Sequence, residues 1–260
     1  LLLIFLNITC FSQISQDGIP ISFTQTLSRE VPNIEIIPPN INTLEIEDNE
    51  NAVKGKPYRY AVQIDTDIDA SKDGLWENLE NNVRVWRINI KSEGAQALGL
   101  YYSAFWIPSN GKLFVYNSDK TKLLGAYTNL NNHESGVFAN EIIEDSQLTL
   151  EYIQKGEGSP IIKINQVSYA YRSIKTSRIS SGFGDSESCQ VNVNCSPEGD
   201  NWQDVKRAVC RISIKIGGNS YWCSGSFINN TEQNCKPYVL TADHCTFDDD
   251  NNAYASENDM

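Results

Sequence analysis

The chain reads RAVCRISIKIGGNSYWCSGSFI at residues 207–228, and this stretch predicts a β-hairpin. Apolar and polar residues alternate over its first half, as they do in a strand with one buried face. The predicted buried face holds Ala208, Cys210, Ile212, Ile214 and Ile216, and the opposite face holds Arg207, Arg211 and Lys215. Gly217-Gly218-Asn219 supplies the turn into the second strand. Residues 237–242, PYVLTA, predict a third strand that continues into Asp243-His244-Cys245.

Upstream of this hairpin, residues 57–171 predict a succession of short strands separated by turn residues. The predicted strands are residues 58–64, 83–90, 98–106, 112–116, 123–127, 136–139, 147–153 and 161–171. Apolar residues alternate along 147–152, which predicts that this strand has one buried face. Strands of this length and spacing are typical of a β-sandwich, so the predicted fold class is all-β.

The composition limits the partners that the protein can have. The 260 residues include 33 Asp and Glu against 21 Lys and Arg, which gives a formal net charge of -12. Nucleic acids and anionic membranes both bind basic surfaces, so we expect neither as a main partner. At roughly 150 residues per domain, the length fits one large domain or two moderate ones.

The N-terminus predicts export. Residues 1–6, LLLIFL, form an apolar run that is too short to span a bilayer and is typical of a secretory signal peptide. We assign residues 1–16 to a signal peptide without its basic start, cleaved near Ser12-Gln13, and expect the chain to be a fragment at both ends. Cys10 leaves a lipoprotein anchor open as an alternative. The expected location is secreted, either extracellular or periplasmic, with no membrane-spanning segment.

Cysteine usage changes abruptly near residue 180. Six of the 7 cysteines lie between Cys189 and Cys245, and none lies between Cys10 and Cys189. In an exported protein such a cluster predicts disulfides before metal ligands, and we expect no metal and no cofactor. The change divides the chain into a predicted sandwich region, residues 17–180, and a second region, residues 181–260.

A polar segment, residues 172–182, joins the two regions and carries Lys175 and Arg178. Basic residues in an exposed connection are where a processing protease cuts. An ordinary interdomain linker is the alternative interpretation, and both stay open.

The sequence argues against metal binding at two places. Asp65, Asp67, Asp69 and Asp73 suggest a calcium loop, but the required Gly and Glu are missing in either register. An acidic strand end followed by a hairpin turn is therefore favoured. Neither His133 nor His244 stands in a spacing typical of zinc sites.

The second region resembles a known family. Cys223-Ser224-Gly225-Ser226 followed by residues 240–245, LTADHC, resembles the C-x-G-S/T and T-A-x-H-C signatures of trypsin-like serine endopeptidases. Residues 188–200, SCQVNVNCSPEGD, resemble the mature N-terminus of the secreted bacterial lysyl endopeptidase branch. More loosely, residues 58–60, 85–88, 112–117 and 124–127 resemble the pro-regions of bacterial members.

This resemblance implies a fold and roles for particular residues. It implies a β-sandwich pro-region followed by the first part of a trypsin-like double β-barrel, with His244 as the catalytic general base. It implies a Cys223 to Cys245 disulfide, which would anchor His244 at the end of a strand. It also implies that Cys189 and Cys195 pair with cysteines beyond residue 260. Cys210 and Cys235 then remain as a candidate pair.

The resemblance places the rest of the catalytic triad beyond Met260. Ser224 and Ser226 belong to a structural segment, and neither is the predicted nucleophile. Asp243 is not the predicted orienting carboxylate, because successive side chains on an extended strand point to opposite faces. The fragment alone is therefore expected to be inactive. The full-length protein is expected to hydrolyse peptide bonds, with lysine selectivity left open and with its own pro-region as intramolecular inhibitor and chaperone.

Two other functions remain open from the sequence. The protein could be a secreted binding or adhesion protein whose protease-like region is inactive. Residues 20–171 could also bind carbohydrate or protein through Trp76, Trp86, Trp106 and the many tyrosines, although aromatics on sandwich strands more often belong to the core.

Overall fold

The structure of the chain is a computed structural model. It describes residues 15–27, 29–54, 56, 58–173, 193–232, 234, 236, 238–248 and 253–254. The predicted signal peptide up to residue 14, Lys175, Arg178, Cys189 and Cys235 lie outside the described residues. No helix in the described ranges is long and apolar enough to cross a membrane.

Three α-helices, three 3₁₀ helices and fifteen strands occur within the described ranges. The α-helices are α1 (Ile21–Thr24), α2 (Ile41–Val53) and α3 (Gln203–Arg207). The strands before residue 174 are β1 (Asn33–Glu35), β2 (Arg59–Asp69), β3 (Leu75–Leu79), β4 (Val83–Lys91), β5 (Ala97–Trp106), β6 (Gly111–Asn117), β7 (Leu123–Tyr127), β8 (Phe138–Ala139), β9 (Gln147–Lys155) and β10 (Ile161–Ala170). The later strands are β11 (Val209–Ile216), β12 (Asn219–Ile228), β13 (Tyr238–Thr241), β14 (Phe247–Asp248) and β15 (Ala253–Tyr254).

Two mainly antiparallel sheets form a sandwich. The first sheet has the order β1-β4-β9-β6-β7, with β3 also paired to β4. The second has the order β11-β12-β2-β10-β5-β8, with β13 also paired to β12. One apolar cluster fills the space between them, with Trp86, Ile88 and Leu150 from the first sheet and Leu98, Leu100 and Val167 from the second. The all-β prediction is confirmed.

The predicted strands of the sandwich correspond to β2 and to β4–β10, with boundaries that shift by a few residues. Helix α2 and strands β1 and β3 were not predicted. Asn40 caps α2, because its side-chain oxygen accepts a hydrogen bond from the Thr43 N–H at 3.2 Å. The Pro- and Asn-rich lead-in therefore contains a helix start that the sequence pattern did not reveal.

The prediction of a single buried face for β9 is wrong. Glu151, expected on the outer face, is fully buried. Residues near α1 lie over this face: the Ser22 N–H donates to Glu151 Oε1 at 3.1 Å, and Phe23 packs edge-on against Tyr116. The Tyr116 hydroxyl donates to Glu151 Oε2 at 3.0 Å. Burial, together with the negative charge of Glu151, raises the pKa of Tyr116 and keeps this donor protonated.

The acidic cluster includes the end of a strand, as favoured, but the turn that follows is not a hairpin turn, because β3 pairs with β4 of the first sheet and not with β2. Asp69 ends β2, and its Oδ1 accepts hydrogen bonds from the Ser71 N–H at 2.9 Å and the Ser71 hydroxyl at 2.7 Å. The Asp73 carboxylate accepts the Asp69 N–H at 2.8 Å, which closes the turn. The hydrogen bonds from Ser71 lower the pKa of Asp69 to about 2.

Strands β11–β13 extend the second sheet of the sandwich. Residues 219–221 of β12 pair antiparallel with the edge of β2, and β11 pairs with β12 over its whole length. Within the part of the chain that the structure describes, these strands do not close into a barrel. The predicted hairpin itself is confirmed, and Gly217 and Gly218 adopt the positive φ values of 55° and 79° that its turn needs.

A buried ion pair fixes helix α2 to the second sheet. Asp48 accepts from Arg59 Nε at 2.8 Å, from the Tyr171 hydroxyl at 2.6 Å and from an Arg172 nitrogen at 2.8 Å. Asp48 and Arg59 are 8% and 7% exposed, so removal of either charge would leave the other buried without its partner.

We predict that Asp48→Ala lowers the free energy of unfolding by about 3 kcal/mol, because it leaves Arg59 buried without its main acceptor. Urea unfolding at neutral pH measures this loss. Glu35→Ala is the control: Glu35 pairs with Lys91 at 3.7 Å on the surface, and its removal should cost less than about 1 kcal/mol. Equal losses in the two variants would contradict the prediction.

Candidate active site around His244

Two paired strands carry the segments on which the sequence prediction rests. Gly225 of β12 lies opposite Thr241 of β13, and Ser226 lies opposite Leu240. The Thr241 hydroxyl donates to the Ser224 carbonyl oxygen at 2.8 Å, which ties the two strands together. A side chain on Gly225 would place its Cβ 2.7 Å from Ile212 Cδ1 and 2.9 Å from Val239 Cγ1. The C-x-G-S segment therefore needs glycine for close strand packing.

The residues after β13 form a 3₁₀ turn, Asp243–Cys245, and not a continuation of the strand. The Cys245 N–H donates to the Ala242 carbonyl at 3.0 Å, and the Thr246 N–H donates to the Asp243 carbonyl at 2.9 Å. The prediction that β13 delivers Asp243-His244-Cys245 in extended form is thus wrong, because these local bonds bend the chain. Successive side chains in a 3₁₀ turn still diverge by about 120°, so Asp243 and His244 point apart.

A disulfide joins Cys223 of β12 to Cys245, the pair that the resemblance implies, with a Cα–Cα distance of 6.0 Å. Cys245 is 4% exposed, whereas its neighbour His244 is exposed. An imidazole nitrogen of His244 and the two sulfurs lie within 4.8 Å of one another. The disulfide ties the turn that contains His244 to β12 and leaves the His244 side chain exposed. The two sulfurs are bonded to each other and offer no thiolate to a metal.

Of the other predicted site residues, the structure describes Cys195 and Cys210. Cys195 is exposed with a free thiol, and Cys210 on β11 also has a free thiol. Cys210 lies within the β11–β12 ladder opposite Gly225, and its candidate pairing with Cys235, which lies outside the described residues, stays a prediction. The partners of Cys189 and Cys195, and the processing region at Lys175 and Arg178, stay predictions.

The second histidine of the chain lies in the sandwich. His133 Nδ1 and the Ser135 hydroxyl are 2.9 Å apart in an exposed loop. This local hydrogen bond gives the His133 side chain a structural role in its loop. His133 therefore serves as a control position for substitutions of His244.

The tryptophans considered for a binding surface are mostly internal. Trp86 is fully buried, and Trp76 packs against the core and donates from Nε1 to the Ala70 carbonyl at 2.9 Å. Trp106 is 50% exposed. Trp222 of β12, which the sequence analysis did not single out, instead stacks on Tyr60 of the sandwich. Its place in the second strand of the predicted hairpin, next to Tyr221, was the available signal.

Comparison with known proteins finds relatives for the region around His244. Residues 183–258 match the family model described as "Lysyl endopeptidase, C-terminal domain". Both this match and a curated relative support a relationship to the lysyl endopeptidases. The relative is the lysyl endopeptidase of Pseudomonas aeruginosa, 28% identical over 114 residues, which are 41% of this chain and 25% of that protein. The chain thus spans about a quarter of that relative's length. No solved structure matches the chain significantly.

We predict that the disulfide contributes to the stability of the lysyl endopeptidase-like region. The double variant Cys223→Ser, Cys245→Ser opens a loop with a sequence separation of 22 residues. The free energy of unfolding should fall by about 3 kcal/mol, because the unfolded chain regains loop entropy. Urea unfolding of the oxidised protein measures the change. Cys210→Ser, which removes a free thiol, is the matched control and should leave the urea midpoint nearly unchanged.

Proposed function

We propose that this chain is the N-terminal part of an exported serine endopeptidase precursor of the lysyl endopeptidase type. The proposal rests on the position of His244. This residue is exposed and follows two paired strands, and its neighbour Cys245 is bonded through a disulfide to β12. It also lies within the region that matches the family model. A general base must be held at a defined position and be reachable by its nucleophile. His244 meets both requirements.

In the proposed mechanism, His244 takes the proton from a serine hydroxyl as that oxygen attacks the scissile carbonyl. It then returns the proton to the leaving amine. A carboxylate on the far side of the ring holds the imidazole in the correct tautomer. The serine and this carboxylate are proposed to come from other segments of the full-length enzyme. Lysine is the side chain that the family name suggests for the substrate.

The sandwich is assigned to the pro-region of the proposed precursor. In this role, it assists folding of the catalytic region and inhibits it until the linker is cut. The proposed location is outside the cytoplasm, after removal of a signal peptide within residues 1–16. Peptides and proteins are the substrates, with no cofactor.

We expect His244→Ala in the full-length enzyme to lower kcat for peptide hydrolysis by about a million-fold, as loss of a triad histidine does. His133→Ala is the matched control, because the His133 ring lies in an exposed loop and contacts Ser135 locally. Retention of activity by the His244 variant would exclude the proposed mechanism. An unaltered full-length protein with no peptidase activity would instead favour the alternative, a secreted binding or adhesion protein in which the sandwich is the functional part.

The linker provides a second test of the proposal. Arg172, at its start, is held by Asp48 at 2.8 Å and packs over Tyr58. A protease that needs an extended, accessible basic residue should therefore cut at Lys175 or Arg178 and not at Arg172.

Replacing Lys175 and Arg178 together by Gln should block this cut and keep the full-length precursor at low activity. Electrophoresis and a peptidase assay before and after treatment with trypsin measure both steps. An uncut precursor as active as the cut enzyme would refute the inhibitory role of the sandwich.

A further inference from the structure

Strand β12, which follows the linker in the sequence, pairs with β2 at the edge of the sandwich. The Gln63 N–H of β2 donates to the Gly218 carbonyl at 2.8 Å, and the Trp222 N–H of β12 donates to the Tyr58 carbonyl at 3.3 Å. Between these bonds, Asn219 pairs with Val62 and Ser220 with Ala61. This contact is strand addition, in which an edge strand gains a new neighbour through main-chain bonds.

An aromatic stack reinforces the strand pairing. The rings of Tyr60 and Trp222 are nearly parallel, with an angle of 12° and a centroid separation of 3.8 Å. The Arg211 guanidinium lies 3.9 Å from the centroid of the Trp222 ring, so a cation–π contact extends the stack. Tyr60 is 1% exposed, and its hydroxyl is hydrogen-bonded to that of Ser213 on β11. Both strands of the hairpin therefore contact the same sandwich residue.

Polar contacts define the register of the pairing. An Arg59 guanidinium nitrogen donates to Asn219 Oδ1 at 3.1 Å, and Gln63 Nε2 donates to the Ser220 hydroxyl at 2.7 Å. Ser220 is fully buried. A one-residue slip would point Asn219 and Ser220 to the opposite faces and break both hydrogen bonds.

The hairpin also curls over the outer face of the second sheet. Lys215 Nζ of β11 lies 4.6 Å from the centroid of the Tyr101 ring on β5, although three strands separate β11 from β5 in the sheet. A groove of about 460 Å³ remains between them, with Gly99 and Ser168 on the sandwich side and Arg211 and Trp222 on the hairpin side. The contact is thus broader than a single edge.

We propose that β2 is the docking site through which the sandwich binds the catalytic region, and that this contact keeps the two associated after the linker is cut. The assignment of the two sides as pro-region and catalytic region rests on the proposed function. The occupant of the docking site is the β11–β12 hairpin of the same chain. None of the contacts named above involves the linker, residues 174–192, so cutting the linker removes none of them.

The test uses the 260-residue chain with a recognition sequence for a site-specific protease inserted between Ser180 and Ser181. After complete cleavage, the two pieces should elute together from a size-exclusion column at micromolar concentration and separate only in denaturant. Trp222→Ala should weaken their association roughly 30-fold, as loss of a central interface aromatic does. Trp202→Ala, which removes a 54% exposed tryptophan of the same region, is the matched control and should leave the association unchanged.

Conservative variants keep the proposal testable if Trp222→Ala fails to fold. Tyr60→Phe and Ser213→Ala each remove one partner of the same hydrogen bond, so each should weaken association several-fold and the double variant no more than either. Native pieces that separate immediately after cleavage would overturn the docking site, whatever the activity of the full-length enzyme. Peptidase activity that survives His244→Ala would instead overturn the proposed role of His244, and a full-length protein with no peptidase activity would overturn the proposed function; neither result bears on the docking site.

Discussion

The buried guanidinium of Arg59 imposes a constraint on which the arrangement of the whole chain depends. A charge that is 7% exposed is tolerated only where protein acceptors replace the lost water. Burial acts to lower the pKa of Arg59, but Tyr171, Glu47 and Asp48 outweigh it and raise that pKa. The acceptors come from helix α2, from Tyr171 just after β10 and from Asn219 of β12. Segments separated from Arg59 by up to 160 residues must therefore all contact this one side chain.

The same constraint explains why helix α2 packs where it does. Asp48 is the one residue of α2 that is buried, and the helix otherwise contributes only Ile41 and Leu44 to the edge of the apolar core. A helix with so little apolar surface is positioned by the charge it supplies. Burial and the hydrogen bond to Asp48 raise the pKa of Tyr171, so its hydroxyl stays protonated and completes the set of donors around this carboxylate.

Local sequence patterns predicted the strands, whereas burial that depends on contacts between distant segments could not be predicted. Strands such as β4 and β9 have β-branched and aromatic residues between turn residues, so their existence was predictable. The burial of Glu151 was not, because its cover comes from Ser22, 129 residues away. At the site, His244 and the Cys223 to Cys245 pair followed from spacing and resemblance, whereas the 3₁₀ turn depends on backbone bonds without a sequence signature. The pairing of β12 with β2 joins residues 17–180 to residues 181–260, two regions that the cysteine content of the sequence separates.

Strand β12 pairs with two different strands, β2 and β13, along the same edge. Residues 219–221 pair with β2, and residues 225–228 pair with β13, so the two ladders do not overlap. Cys223 lies between them, and its disulfide keeps the turn with His244 attached whether or not β2 is present. Departure of the sandwich would, however, expose Trp222, Ser220 and a row of unpaired backbone groups. Uncovering such an edge costs free energy unless another strand or water takes the place of β2. That cost opposes release of the sandwich without loosening the backbone that holds His244.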